Sequence, residues 1–504
     1  MKILPFFVII PLGSAFLISL LGKKFKKFGD LWANLSTLAL FGLSLHSISL
    51  VAAHKMLVYK VGGWLPPFGI CMVLDGLTSF MLVTVNLVSF LVTVYAVNYM
   101  QKFTDKAKFY TLFMLMLAGM HGVIMTGDLF NLFVFLEIAS IASYALVAFG
   151  TEAEELEASF KYAIMGSVAS SFILLAIALV YGYTSTLNLA DISLALTQKG
   201  GGFLISFASV LFLVGFGLKA ALVPFHAWLP DAHPSAPAPI SAMLSGVLIK
   251  TLGIYAIIRI FFNVFGATTT PVLSIVMFLG VLSMLVGVIL ALSQWDFKRL
   301  LAYHSISQVG YVMLGIGLGT PLGILGGLFH LFNHSVFKSL LFLGSGAVDY
   351  SLHTRDLQQM GGLREKMPVT ANTNLVASMS IAGIPPFNGF WSKLWIILAC
   401  VQAYIQSSKM IYIVYALCAI VGSILTLASF MKVQKYAFFG RLNEKWQNIK
   451  EVPGLMQLSM VFLALICIVS SLLVMSSFKP FLDSAADALL AGGGYQEAVF
   501  ANVK

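Results

Sequence analysis

We count fourteen apolar runs along this chain, each about as long as a helix that crosses a lipid bilayer. A helix that rises ~1.5 Å per residue needs about 20 apolar residues to cross a hydrocarbon core ~30 Å thick. Charged residues make up only 10% of the 504, whereas a soluble domain has roughly 25%. A soluble multidomain protein and a disordered chain are therefore excluded, and we predict a single all-α polytopic membrane domain, residues 1–504, of about fourteen transmembrane helices. The runs lie near residues 3–21, 31–52, 73–97, 109–126, 128–150, 159–183, 203–228, 237–264, 271–293, 300–319, 321–348, 370–401, 411–440 and 455–478.

The distribution of basic residues predicts the orientation of the helices. The cluster from Lys23 to Lys27 follows the first run, whereas a signal peptide has its positive charge before the apolar core, so we expect the first run to be a span. Odd-numbered loops and their helix ends hold seventeen Lys and Arg, and even-numbered loops and the termini hold seven. Because cytoplasmic loops are enriched in Lys and Arg, we predict cytoplasmic odd-numbered loops and external termini, in a membrane taken to be a prokaryotic plasma membrane.

One acidic residue, Glu137, lies deep within a run, nine residues after Asp128 and hence near the middle of the membrane. Ser140 and Tyr144 follow at i+3 and i+7, so they share a helix face with Glu137. A charge at this depth costs at least ~2.5–3.5 kcal/mol and usually marks an ion or proton path. We therefore predict that this helix lines a hydrated seam.

Six basic residues lie inside the runs. Lys161 and Arg259 lie near run ends, where we expect them to reach the membrane surface. The four deep lysines are Lys219, Lys250, Lys338 and Lys393.

Lys219 lies five residues before Pro224 in the seventh run. Proline breaks the helix, and a break inside a membrane is tolerated where it is enclosed by protein or lines a cavity. An apolar site disfavours a charged lysine and a nearby glutamate favours it, so a change in the distance to Glu137 would switch Lys219 between holding and releasing a proton. The alternative is a structural ion pair that orients two helices.

The twelfth run has a second interruption, Pro385–Pro386, followed by Lys393. The seventh and twelfth runs are five spans apart, so they cross the membrane in opposite directions. Paired interruptions of this kind are typical of transporters built from inverted repeats. We predict two five-helix repeats, over residues 109–264 and 271–440.

His330, His334 and Lys338 in the eleventh run are spaced at i, i+4 and i+8, within an arc of about 80° on one helix face. Histidine titrates near neutral pH and suits a proton relay. The alternatives are structural polar packing and metal binding, although no HExxH glutamate or third ligand accompanies the pair.

Other polar residues are candidates for the path or its entrance. Lys250 lies about ten residues into the eighth run, and the alternatives to a functional role are a counter-charge for Asp231 or a lysine that reaches the surface. His304, near the cytoplasmic end of the tenth run, is either a proton-entry group or a satisfied interfacial histidine. His226 and Asp231, close to the first interruption, are further candidates for proton entry or coupling.

The cysteines give no sign of a cofactor. Cys71, Cys400, Cys418 and Cys467 form no CxxC pair, so we expect no disulfide framework, zinc site or iron–sulfur cluster. A phosphate-binding GxxxxGK[ST] loop is also absent from the sequence. We expect no cofactor or metal and no catalysis by this chain alone, so a driving reaction would come from partner subunits.

Five ordered strings carry a family resemblance: DLFNLFVFLE at 128–137, the segment 219–233 with PFHAWLPDAH, APAPISA at 236–242, DFKRLLAYHS at 296–305, and residues 353–362. Together they resemble the antiporter-like subunits shared by complex I (NADH-quinone oxidoreductase), membrane-bound hydrogenases and multisubunit Mrp sodium/proton antiporters. The resemblance covers about residues 60–440 and implies fourteen helices, inverted five-helix repeats and a buried axis for protons. The chain ends soon after the last run, which favours the Mrp D subunit type, whereas Tyr-His-Ser at 303–305 is similar to hydrogenase-linked members.

The resemblance also implies roles for single residues. Glu137 and Lys219 match the family's Glu–Lys pair, Lys250 its connecting lysine, and His334 its central histidine. Lys393 matches the terminal residue of the axis, where some members have glutamate.

The leading hypothesis is a subunit that moves protons, and possibly sodium, within a larger membrane complex, which in a redox-driven complex would be the ion-pumping subunit of an oxidoreductase. The alternatives are a self-sufficient transporter of a small solute and an inert scaffold. We expect hydrophobic partner subunits and lipid around the chain, and no nucleic acid.

Overall fold

The computed structural model describes residues 3–25, 27–103, 105–266, 271–477, 479–492 and 494–503. Lys2, Lys26 and Lys504, which contributed to the predicted orientation, lie outside these ranges. The chain is mostly helical, and long helices follow one another along it. Those before the eighth apolar run are α1 (Phe6–Leu21), α2 (Phe28–His54), α3 (Gly76–Tyr99), α4 (Lys106–Met125), α5 (Leu129–Val147), α6 (Ala153–Thr184), α7 (Leu189–Lys199), α8 (Gly202–Lys219) and α9 (Leu229–Ser235). Those after it are α12 (Pro271–Leu292), α13 (Phe297–Gly317), α14 (Pro321–Leu352), α15 (Pro368–Ala382), α16 (Asn388–Ser407), α17 (Ile411–Val433), α18 (Gly454–Val469), α19 (Pro480–Leu490) and α20 (Gly494–Val503).

Ten helices in the described part of the chain are long and apolar enough to cross a membrane, and α1 is a shorter apolar helix. The prediction of a helical, multi-span membrane protein is confirmed at this level, and the count of fourteen spans stays a prediction. The long helices α13 and α14 are not among the ten, although nearly all their side chains are buried. Helices with polar side chains thus lie at the centre, and apolar helices such as α2, α17 and α18 lie at the periphery with much of their surface exposed.

Packing within the bundle brings the polar helices together. In the second half, α13 packs between α12 and α14, and α14 also contacts α15 and α16. In the first half, α4 packs on α5, and α6 packs on both α5 and α8. The helices that carry the predicted ionisable residues are therefore neighbours in the interior.

Both predicted interruptions are places where the chain leaves helical geometry. Helix α8 ends at Lys219 and the next helix, α9, begins only at Leu229. Helix α15 ends at Ala382, where Gly383 adopts φ +82 as a left-handed cap, and α16 begins at Asn388. Such a cap suits glycine because it has no side chain to clash in that conformation.

The eighth apolar run has a backbone that the sequence analysis did not predict. It begins with α10 (Ala238–Met243) and continues through π-helical turns at Leu244–Leu248 and Lys250–Tyr255, the short α11 (Ala256–Ile258) and a π-helical turn at Arg259–Val264. A π-helix bonds residue i to i+5 and is rare except as single turns, which are frequent at functional sites. Three such turns in one segment, which is completely buried, mark it as structurally unusual.

Two further features of the fold were not predicted from the sequence. A hairpin of β1 (Leu57–Lys60) and β2 (Cys71–Leu74) forms between α2 and α3, with Leu57 opposite Leu74 and Lys60 opposite Cys71. It is too short and too close to apolar runs to stand out in hydropathy. The C-terminal helices α19 and α20 pack back on the bundle, α19 against α3 and α14, and α20 against α7 and β1.

Candidate functional site

The first cluster of the site joins α5, α6 and α8 around Lys219. The Lys219 Nζ lies 3.7 Å from Glu137 Oε1 and donates hydrogen bonds to Ser140 Oγ at 2.9 Å and Tyr144 OH at 3.3 Å. The helix periodicity of α5 places these three acceptors on one face, as the sequence predicts. Two of the three N–H donors of the ammonium group are thus bonded to hydroxyl groups, and Glu137 supplies the opposite charge of an ion pair.

The surroundings of the two charges differ. Lys219 is only 4% exposed and is the last residue of α8, where the unpaired carbonyls of the helix end favour a positive charge. The Glu137 side chain is 29% exposed and also accepts a hydrogen bond from Ser170 of α6. The Lys219 ammonium is therefore fixed in the interior of the helix bundle, whereas the Glu137 carboxylate is partly exposed at the outer surface of the bundle.

A methyl group added to α6 tests this arrangement. In Gly166→Ala the new Cβ would overlap the Tyr144 hydroxyl, so Tyr144 must move away from Lys219. We expect transport to fall on the order of 100-fold, the loss that misplacement of a reacting group by ~1 Å can cause. Reconstituted vesicles would measure it. Gly182→Ala is the matched control on the same helix, because nothing lies within 4 Å of its Cβ. Equal rates for the two variants would contradict a role for the Tyr144 contact.

Lys250 is completely buried in the π-helical segment. Its Nζ donates to the carbonyl of Ser245, five residues earlier, and the Ser245 hydroxyl is bonded to Ser305 Oγ of α13 at 2.7 Å. Both alternatives to a functional role are wrong. Lys250 does not reach the surface, and Asp231 is paired elsewhere, with Lys161.

The histidine row of α14, formed by His330, His334 and Lys338, is the centre of the site. His330 is bonded to Ser392 Oγ at 2.9 Å through Nδ1 and to Gln308 Oε1 at 3.1 Å through Nε2, and its ring centroid lies 6.4 Å from that of His334. Both ring nitrogens of His334 and the Nζ of Lys338 are buried without a hydrogen-bond partner among the described residues. Buried polar atoms normally have a protein or water partner, so this stretch has the polarity for internal water.

The geometry bears on the two alternative roles of these histidines, metal binding and structural polar packing. Within the described ranges, no group of three or more His, Cys, Asp or Glu could hold a metal ion. Structural packing accounts for His330, whose two nitrogens are both bonded, but leaves His334 and Lys338 without a structural reason for their polarity.

Lys393 lies at the second interruption. Its Nζ donates to the Ile381 carbonyl at 2.8 Å, in the last turn of α15, and lies 4.6 Å from the ring centroid of Tyr311. The contacts repeat the arrangement at Lys219 in a different form: each lysine places its charge at the C-terminal end of a helix that precedes a break, where the helix dipole is negative.

The candidate entry groups near the first interruption are only partly buried. His226 lies in the non-helical segment between α8 and α9. Asp231 on α9 pairs with Lys161 at 3.0 Å and with Arg299 at 3.2 Å. Lys161 is exposed, as expected. Asp231 thus fixes α9 to α6 and α13.

His304 lies in the interior of the bundle, and both interpretations of it, a proton-entry group and a satisfied interfacial histidine, stay predictions. It is completely buried in α13, its Nε2 bonds Ser429 Oγ of α17 at 2.8 Å, and its ring centroid lies 4.8 Å from that of Phe430.

Sequence reasoning did not select His233, which is fully buried with neither nitrogen bonded among the described side chains. Its ring lies between Trp228, at a centroid distance of 6.1 Å, and Phe342, at 5.7 Å. Phe342 in turn lies 5.6 Å from Lys338 Nζ, and Trp228 stacks on Tyr162 at 4.2 Å. His233 therefore lies between the Lys219 cluster and the histidine row. The sequence signal that could have identified His233 is its position at the end of the motif PFHAWLPDAH.

Arg259 also differs from expectation. It was predicted to reach the membrane surface, but it is only 3% exposed and pairs with Asp75 at 2.7 Å. The position near a run end was correct, but α19 and α20 cover that end.

Two family profiles match this chain. Residues 126–426 match the family described as NADH:quinone oxidoreductase/Mrp antiporter, transmembrane. Residues 66–110 match NADH-ubiquinone oxidoreductase (complex I), chain 5 N-terminus.

Named relatives and a solved structure agree with these profiles. The D subunit of the Na+/H+ antiporter of Alkalihalophilus pseudofirmus is 36% identical over 98% of this chain and 99% of its own length. Hydrogenase-4 component B of Escherichia coli is 31% identical over 88% of this chain and 71% of its own length. A protein in the structure of the Mrp complex from Dietzia sp. superposes with a TM-score of 0.91 at 27% identity, covering 98% of both chains.

Proposed function

The chain belongs to the NADH:quinone oxidoreductase/Mrp antiporter family, as its motifs predicted, and on that premise we propose that it is a proton-translocating membrane subunit of a multisubunit complex. One observation carries the proposal. The four deep lysines Lys219, Lys250, Lys338 and Lys393 are all at most 4% exposed, and only Lys219 has a carboxylate partner among the described residues. Such costly groups are kept in a membrane interior where they serve a transport path.

The proposed path runs through the histidine row. Protons reach Lys250, His330 and His334 from one side of the membrane, and from there they pass either to Lys393 or back to Lys219. Lysine and histidine can each hold and release a proton, and internal water would connect groups that lie beyond direct hydrogen-bond distance.

The direction is set at Lys219. While Glu137 stays close, the carboxylate stabilises the protonated lysine, and Lys219 holds its proton. When Glu137 moves away, only Ser140 and Tyr144 remain, and two neutral hydroxyl groups stabilise a buried ammonium less than a carboxylate does. The Glu137–Lys219 pair then works as a switch between holding and releasing.

A partner subunit operates the switch in this proposal. Glu137 is partly exposed near the expected middle of the membrane, where lipid is an unfavourable environment for a carboxylate. We infer that a neighbouring membrane subunit lies against α5 and α6 and that its charges move Glu137. The relatives are named as an antiporter subunit and a hydrogenase component. Transport is therefore driven either by an ion gradient or by a redox module among the partner subunits.

The proposal includes a topology. It has fourteen spans in one domain, with inverted repeats at residues 109–264 and 271–440, odd-numbered loops in the cytoplasm and both termini outside. The two helix breaks support the repeats, since Lys219 is the last residue of α8 and the Lys393 Nζ is bonded to the Ile381 carbonyl near the end of α15. The excess of Lys and Arg in odd-numbered loops supports the orientation.

The first experiment is gentle solubilisation of native membranes, purification through a tag on this chain, and mass spectrometry of what remains bound. We expect several other membrane subunits. Iron–sulfur or nickel-site proteins among them would indicate a redox-driven pump, and only small hydrophobic subunits would indicate a secondary antiporter. A chain that purifies alone and transports in vesicles would contradict the proposal and favour the solute transporter. Proton movement in vesicles with and without sodium would then show which ions are exchanged.

A further inference from the structure

A buried ion pair lies outside the proposed proton path. Asp75 caps the N-terminus of α3, and Arg259 lies on the π-helical segment; they are 2% and 3% exposed. The guanidinium binds the carboxylate through two contacts, Nη1–Oδ2 at 2.7 Å and Nη2–Oδ1 at 2.9 Å.

The other donors of Arg259 are also used. They bond Tyr255 OH at 3.2 Å, Asn263 Oδ1 at 3.0 Å and Thr78 Oγ1 at 3.1 Å. A guanidinium has five N–H groups in a fixed planar arrangement, and here all five have an acceptor. The orientation of Arg259 about the helix axis is therefore tightly defined.

A buried ion pair contributes little net stability, because desolvation of the charges opposes their attraction. Its best-attested use is to select one register among alternatives. The segment 244–264 has such an alternative. Each π-helical turn accommodates one extra residue compared with an α-helix, so conversion of one turn would rotate the flanking parts by about 100°.

Lys250 lies between two anchors on this segment. On one side, Ser245 is bonded to Ser305 of α13 at 2.7 Å, and on the other, nine residues after Lys250, Arg259 is bonded to Asp75. We propose that Arg259, held by Asp75, is a positioning residue that fixes the π-helical register of residues 244–264 and so holds Lys250 on the Ser245 carbonyl. This inference rests on the proposed function, in which Lys250 carries protons.

The C-terminal helices close over the pair. The Asn263 Nδ2 donates to the Ala488 carbonyl of α19 at 2.7 Å, and the Tyr495 ring of α20 lies 5.5 Å from the Arg259 guanidinium. These contacts place α19 and α20 directly over the ion pair.

The test uses the assembled complex with Arg259→Gln, which removes the charge and the planar set of donors. We expect a cryo-EM structure of the variant to show Lys250 displaced from the Ser245 carbonyl and at least one π-helical turn replaced by α-helix. Proton transport should fall roughly tenfold or more, as expected for a misplaced reacting group. Arg259→Lys keeps the charge but not the planar donors, so its transport should lie between those of the wild type and Arg259→Gln.

The single variant leaves Asp75 buried without its partner, which can prevent assembly. The double variant Asp75→Asn/Arg259→Gln removes both charges and lets two amides pair, so the same structural readout is obtained from it. The matched control is Lys106→Gln, which breaks a partly buried ion pair with Asp30 at 3.0 Å between α2 and α4 and should leave both the segment and transport unchanged.

The positioning role of Arg259 and the place of Lys250 in the proton path are contradicted by different results. Unchanged π-helical turns, with Lys250 still on Ser245, would overturn the positioning role even if transport fell. Normal transport in Lys250→Ala would instead overturn the place of Lys250 in the proposed path, whatever the register in Arg259→Gln.

Discussion

Replacement of Lys219 by alanine should abolish coupled transport, with a loss of at least ~100-fold, the usual range for a positioned proton-transfer group. The complex should still assemble. Glu137 keeps its hydrogen bond from Ser170 and, in the proposed complex, its contact with the neighbouring subunit, so it is not left as an unpaired charge. Ser140 and Tyr144 each lose a donor, at about 1–3 kcal/mol if left unsatisfied. Transport in vesicles and the subunit composition of the purified complex would be measured together.

The control for Lys219→Ala is Lys199→Ala at the exposed end of α7, which removes the same charge outside the bundle and should change neither property. Failure of Lys219→Ala alone to assemble would favour the structural ion pair over the proton switch. Normal transport would remove Lys219 from the path altogether.

Lys338→Met should have the second large effect, and it should change transport and stability in opposite directions. Lys338 is fully buried and its Nζ has no hydrogen-bond partner among the described residues. Methionine has a similar length and no polar group, so the protein should become more stable, on the order of 1–3 kcal/mol, the cost of an unsatisfied buried polar group. Transport should fall by ~100-fold or more, because a link in the histidine row is lost. Thermal unfolding and vesicle assays would measure the two effects.

Lys432→Met provides the matched comparison. Lys432 of α17 is partly buried, and its Nζ donates to the carbonyls of Leu292 at 2.8 Å and Gln294 at 2.6 Å. The same substitution there should lower stability and preserve transport. If Lys338→Met were destabilised with normal transport, Lys338 would be a structural residue.

The sequence allowed the helical membrane class, both interruptions and the Glu137–Lys219 contact to be predicted. These features depend on local properties: hydropathy over ~20 residues, proline chemistry, and the i, i+3, i+7 spacing that gives Ser140 and Tyr144 the face of Glu137. The family motifs additionally predicted the protein family and, with it, the fold.

Other features depend on contacts between distant segments and could not be predicted. No sequence rule identifies the π-helical turns around Lys250, because the register is decided by partners on other helices, such as Ser305 and Asp75. Arg259 was misjudged for the same reason: its burial depends on α19 and α20, more than 200 residues away. Likewise, both ring nitrogens of His334 lack hydrogen-bond partners because the segments packed around it place no polar atom of the described residues within reach.

The polarity of α13 and α14 has a consequence for biogenesis. Helix α14 carries two histidines, an asparagine and a lysine in its central turns, and a lysine at mid-membrane alone costs ~2.5–3.5 kcal/mol on insertion by the translocon. We expect such a helix not to partition into lipid on its own as it leaves the ribosome. It must wait beside the insertion machinery until apolar neighbours such as α3 and α18 can enclose it, so the order of synthesis governs whether the path forms inside the protein.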